Sequence, residues 1–239
     1  MTLFRRMFLA ASLAGVLSGV FIGILHQFTT AEIIRQAETF ERAAAEHGSG
    51  EAAHDDPDQG WEPSDGLERM SYTILADALV GVGFCLLLIA GYAILNARMD
   101  CRTGFYWGIA GFAAVMVAPS LGLPPEVPGT AAAPLQERQL WWLGTAVVST
   151  AALLLLYLRP SNSLSYIAAL AMVALPHAIG APEPADYHSA APQWLQHRFV
   201  VATVLSDLAF WSVAGTLSGV LYHNLVQPVV LARSFINSF

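Results

Sequence analysis

Two carboxylates sit where a carboxylate is costly. Asp77 is the only charge in Tyr72–Leu95, and Asp207 is the only charge in Phe199–Leu221. An ionised side chain at the centre of a bilayer costs about 2.5–3.5 kcal/mol on insertion scales, and less towards either end of a span. Each aspartate lies in the end third of its stretch. Asp77 is followed one turn on by Gly81, and Asp207 shares a stripe with Thr203, Trp211, Gly215, Ser218 and Tyr222. At helical spacing these are the small, polar sides of their helices, so both carboxylates are expected to face other helices. Two roles suit them: an interhelical hydrogen bond, or a station for a cation. His26, His177 and Glu183, with Asp186 and His188 close by, fall at the ends of neighbouring stretches. Imidazole and carboxylate are ligands for divalent first-row metal ions. His26, Asp77, His177, Glu183 and Asp207 are therefore the expected metal set. His47, His54, Asp55 and Asp56 form a second group in a Gly-, Asp- and Pro-rich segment, to be read as an outer capture loop or as a plain solvated acidic loop.

Several chemistries are excluded. The eleven basic residues are all arginine, so there is no lysine for a Walker A loop or a Schiff base. G-x-S-x-G and H-E-x-x-H are missing. Two separated cysteines do not make a soft-metal site, and the histidines are not stacked within spans as bis-His haem would need. Neither enzyme activity, a permanently bound cofactor nor a nucleic-acid partner is expected.

The elements that must hold these side chains are apolar. Of 239 residues, 55% are hydrophobic and 12% charged, against about 25% charged in a soluble domain. Six apolar stretches read as spans, at about 7–28, 72–95, 105–121, 140–158, 164–179 and 199–221. A crossing helix needs about 20 mostly apolar residues. Five stretches meet that test; Leu164–Ile179 is short and contains Pro176. The first is too long for a signal h-region and has no small-residue cleavage site behind it, so it reads as a retained helix. The expected fold is all-α: a single polytopic membrane helix bundle over 1–239 with six transmembrane helices, or five if Leu164–Ile179 does not cross.

Charge gives a direction. Fifteen of the eighteen acids lie in 29–71, 122–139 and 180–198. The alternating loops 1–6, 96–104 and 159–163 hold five arginines in a quarter of the length that carries five on the acidic side. Arginine near helix ends stays in the cytoplasm. The N-terminus is therefore expected to be cytoplasmic, and six of the seven histidines to lie at or beyond the outer surface.

Ala11, Gly15, Gly19 and Gly23 recur every four residues in the first stretch, with His26 on the same face. Small residues at that spacing let backbones approach closely in lipid, and Gly104–Gly108 and Gly215–Gly219 repeat it. Loop 29–71 opens on a helical-looking Ala31–Glu46, whereas LPPEVPG and GAPEPADYHSAAP cannot be regular helix. Trp107, Trp141 and Trp142 fall at span ends, as interface aromatics do.

Three segments carry a resemblance: WEPSDGLER (Trp61–Arg69), GLPPEVPGTAAAPLQERQLWW (Gly122–Trp142) and PHAIGAPEP (Pro176–Pro184). With Arg5–Arg6 and the glycine-striped first helix, the chain resembles the CbtA family, the probable cobalt transporter subunit of bacteria, over nearly its whole length. The resemblance implies an inner-membrane component of cobalt uptake serving cobalamin synthesis. It also implies a small single-span partner, CbtB, with a His-bearing tail. It gives weight to Glu126, Arg138, His177 and Glu183, the polar members of the matched segments. Glu126, Arg138, Trp141 and Trp142 are expected to be structural or docking residues. Two features depart from the family. Its His-rich loop is reduced here to His47 and His54, and relatives are often described with five spans. The expected activity is uptake of a divalent cation, Co2+ or, with the same ligand types, Ni2+. The alternative is a non-catalytic membrane scaffold that stabilises a metal-handling partner.

Overall fold

Long apolar runs free of helix breakers leave the backbone one way to satisfy itself in lipid, by bonding along its own axis. The computed structural model has that outcome. It describes residues 2–48, 63–185 and 189–230, without the side chains of 45–48. The helices are α1 (Leu3–Phe28), α2 (Thr30–Gly48), α3 (Leu67–Ile94), α4 (Cys101–Phe112), a π-helical turn (Ala113–Val117), α5 (Ala118–Ser120), α6 (Leu135–Leu158), α7 (Ser163–Ile179) and α8 (Gln193–Leu225). Among the described residues there is no strand, only an isolated bridge between Thr130 and Ser189.

Four helices, α1, α3, α6 and α8, are long and apolar enough to cross a membrane. Each expected stretch is helical, but two are not single long helices. The stretch 105–121 is divided by the π-turn into α4 and α5, next to Pro119. Proline has no N–H to give and disfavours the α conformation in the residue before it. The stretch 164–179 becomes α7, which with 17 residues is among the shorter apolar helices. α2 bears out the helical reading of Ala31–Glu46, and the Pro-rich segments 121–134 and 180–185 have no helix.

The chain divides into two compact units: Met1–His26, Pro63–Phe112 and Ser206–Phe239 in the first, Gln27–Glu62 and Ala113–Leu205 in the second. In the first unit the glycine stripes do what their spacing suggests. A β-carbon on Gly15 would lie 2.3 Å from Val82 Cα, and one on Gly19 2.4 Å from Ala78 Cα. α1 and α3 thus touch backbone to backbone. α4 and α8 do the same through Gly104, Gly108, Gly215 and Gly219. Tyr92, fully buried, bonds Ser218 at 2.9 Å and packs its ring against Trp107 and Tyr222. Trp107 is therefore a packing residue inside this unit.

In the second unit, Ile33 and Ala37 of α2 pack with Val127, Ala191 and Leu195. Gln196 clamps the Pro-rich segment: its side chain donates to Pro125 O at 2.9 Å and accepts from Val127 N at 3.1 Å. One side chain thereby satisfies two backbone groups that prolines keep out of helix.

Candidate functional site

The α1–α3 seam sets the position of the first pair. Gly23 brings α1 against Ile74, and a β-carbon there would lie 3.3 Å from Asp77 Oδ2. One turn further, His26 Nδ1 lies 3.0 Å from Asp77 Oδ2. The two side chains are 21% and 22% exposed, enough for an ion or water to reach them and too little for bulk screening. With Nδ1 committed to Asp77, Nε2 is left as the ligand nitrogen, oriented by its carboxylate; metal-binding histidines are commonly held this way. Asp207 lies in the same unit, on α8. Two of the five residues expected to ligate metal, His26 and Asp77, are thus paired across the α1–α3 seam.

His177 and Glu183 belong to the second unit. His177 lies in the last turn of α7, directly after Pro176, and its ring meets Trp141 edge-on at a centroid distance of 5.7 Å. Buried His177 Nε2 and Trp141 Nε1 have no hydrogen-bond partner among the described residues. Glu183 follows in the Pro-rich segment. Trp142, the next residue of α6, is 38% exposed. Glu126 and Arg138 form an ion pair at 3.3 Å that ties the Pro-rich segment to the first turn of α6. The side chain of His47 and all of His54, Asp55, Asp56, Asp186 and His188 lie outside the described residues. Among the described residues no group of three or more His, Cys, Asp or Glu side chains is placed to enclose a metal ion.

The matched sequence segments have local physical reasons. In Trp61–Arg69, Ser64 donates from its backbone N–H and its hydroxyl to Glu68, and Arg69 bonds Asp65 at 3.1 Å, closing the turn into α3. Gly66 between them has φ +100, a conformation that L side chains rarely adopt. Away from these ends, Asp100 Oδ1 accepts from Thr103 N at 2.6 Å and caps α4. That N–H holds the Asp100 carboxyl below the usual carboxylate range. Arg6 Nη1 donates to Leu225 O at 3.1 Å, closing the end of α8.

Sequence reasoning missed Gln196, since one amide in a helix carries no signal of the backbone groups it will meet. It also missed that Trp141 and His177 form a pair.

No curated protein and no solved structure matches the chain. The profile of the family described as "probable cobalt transporter subunit (CbtA)" matches residues 4–223, nearly everything from the α1 stripe to His223. The ion-capable groups on membrane-length helices and this match over most of the sequence have one consequence: the chain belongs to the CbtA family of cobalt transporter subunits.

Proposed function

We propose that this chain is the membrane subunit of a divalent metal uptake system, with Co2+ as its ion, supplying cobalamin synthesis. The observation that carries this is the His26–Asp77 pair, 3.0 Å apart, on helices long and apolar enough to cross a membrane, with Asp207 on a third such helix of the same unit. A carboxylate within an apolar span carries a cost even towards its end, and a transported cation offsets it. On this reading the acidic loops raise the local cation concentration at the outer mouth. His47, His54, Asp55 and Asp56 capture the ion, His26, His177 and Glu183 receive it at the mouth, and Asp77 and Asp207 pass it inward. The protein is not an enzyme and holds no permanent cofactor. It sits in the bacterial inner membrane as one domain of six spans with a cytoplasmic N-terminus. Glu126, Arg138, Trp141 and Trp142 shape a docking surface for a small single-span partner, CbtB-like. Ni2+ suits the same ligands. Membrane potential supplies about 2.3 kcal/mol per charge per 100 mV for entry.

The test is radiolabelled Co2+ uptake by cells carrying the chain with and without its partner. Asp77→Asn and Asp207→Asn are expected to lower uptake at least about tenfold, a barrier change of roughly 1.4 kcal/mol. Wild-type uptake by both variants at normal membrane levels removes them from the path.

A second reading is favoured by the glycine seams, where backbones in contact form a stiff frame. There the chain is a scaffold and the partner handles the metal. The purified chain alone then binds no Co2+ in calorimetry, and the same variants lose complex rather than affinity.

A further inference from the structure

Ser149 is a buried hydroxyl of α6. It is 2% exposed, and its Oγ has no hydrogen-bond partner among the described residues. A helical Ser or Thr in lipid ordinarily turns back to the carbonyl one turn earlier. Its neighbours on α6 do so: Thr145 bonds Trp141 O and Thr150 bonds Ala146 O, each at 2.8 Å. Ser149 does not, halfway along the apolar stretch 140–158. A buried donor and acceptor left unpaired destabilises the fold.

A segment packed against α6 has a matching defect. In the second unit α6 lies against the π-turn, α5 and α7. Pro119 follows the π-turn and has no N–H. In an α register that deprives Val115 O of its donor, and in a π register Ala114 O. Ala114 is 2% exposed. Single π-turns are often found at functional sites, and unpaired backbone at membrane depth is tolerated where it lines a cavity. Two turns from Ser149 on the same stripe stands Trp141 with His177; Trp141 Nε1 and His177 Nε2 also lack partners among the described residues. Partnerless polar atoms thus extend from one end of α6 to its middle. A hydroxyl and a carbonyl present oxygen lone pairs, which suit a cation stripped of most of its water and repel an anion. In membrane transporters, unwound backbone near the bilayer midplane coordinates ions in this way.

We propose that Ser149 Oγ and the freed carbonyl of Ala114 or Val115 form a midplane site for the transported divalent cation, reached past His177 and Trp141. This rests on the uptake reading above and adds a station to it. The probe is radiolabelled Co2+, taken up by cells carrying the full chain and its partner, with membrane levels measured in parallel. Ser149→Ala is expected to cut uptake about tenfold or more, whereas Ser149→Thr, which keeps the hydroxyl, stays within about threefold of wild type. Pro119→Ala supplies the missing N–H, occupies the carbonyl and lowers uptake as well. Wild-type uptake by Ser149→Ala overturns the site, including the case in which its thermal midpoint drops because a structural water has been lost. Equal losses in Ser149→Ala and Ser149→Thr mark a packing role and overturn it too. Should Ser149→Ala fail to reach the membrane, Pro119→Ala decides, and wild-type uptake there overturns the site. If the wild-type chain takes up no Co2+, both readings fall. If it does, and Asp77→Asn abolishes uptake while Ser149→Ala leaves it unchanged, only the midplane site falls.

Discussion

At the scale of single residues, His26 and Asp77 depend on each other. Removing the imidazole leaves a partly buried carboxylate with its partner gone, and a lost hydrogen bond to a charged group costs about 1.5–3 kcal/mol. His26→Ala is expected to lower the thermal midpoint in detergent. Adding Asp77→Asn is expected to restore part of it, because the unpaired charge is then removed. Additive losses in that double-mutant cycle would show that the two side chains do not interact. Asp100 makes a different prediction. Its carboxyl is held low by the Thr103 N–H it accepts from. A depressed carboxylate contributes stability above its unfolded value and loses it as pH falls through the folded one. Asp100→Ala is therefore expected to lower the thermal midpoint at neutral pH, with the difference shrinking in acid. Asp100→Asn keeps an acceptor at the cap and should lose less. The position of Asp77 and Asp207 was legible because a charge inside an apolar run has few reasons to be there. The contact of Asp77 with His26 was not, since it depends on which helices meet, and nothing in the residues themselves states that.

At the scale of elements, glycine spacing was the most readable feature, and it gives a sharp contrast between glycines. Gly19 has α3 backbone where a β-carbon would go, at 2.4 Å from Ala78 Cα, whereas Gly83 and Gly144 face open space. Gly19→Ala must push α1 and α3 apart. Overpacking of this kind typically costs about 1–3 kcal/mol, and here it also separates His26 from Asp77. Gly83→Ala and Gly144→Ala remove only backbone freedom and are expected to be neutral or to stabilise by up to about 1 kcal/mol. Thermal unfolding in detergent separates the three; equal effects would mean that the seam is not the contact. The Pro-rich segments were legible as non-helical from proline alone. What holds them was not: Gln196 bonds across sequence separations of 71 and 69 residues, and no local pattern encodes such a reach. The π-turn lies between these cases. Pro119 announces a disturbance, but whether a helix answers a proline with a kink, a stop or an extra residue in the turn depends on what packs beside it.

At the scale of the whole molecule, the number of crossings decides which groups share a compartment. α1, α3, α6 and α8 have the length and apolarity to cross. The α4–α5 segment, interrupted by its π-turn, and α7, of 17 residues, are the two that can go either way. At 1.5 Å per residue α7 is about 26 Å long, against about 30 Å of hydrocarbon. Charge favours six, because only then do the acidic and arginine-dense loops alternate without exception. Native cysteines supply the reference for a test. Cys101 is exposed and Cys85 buried, so a membrane-impermeant maleimide reports on Cys101 alone. In separate Cys101→Ser backgrounds, Ser161→Cys marks the α6–α7 turn and Ala185→Cys the segment after α7. Six spans put Ser161→Cys on the side of Cys101 and Ala185→Cys opposite. Loss of α7 alone brings both to the side of Cys101. Loss of both α7 and the α4–α5 segment sends both to the other side. Six spans are expected, with Cys101 labelled only in inside-out vesicles. Loss of either segment alone would put Glu183 across the membrane from His26, and a cation could not then pass from one set to the other as proposed.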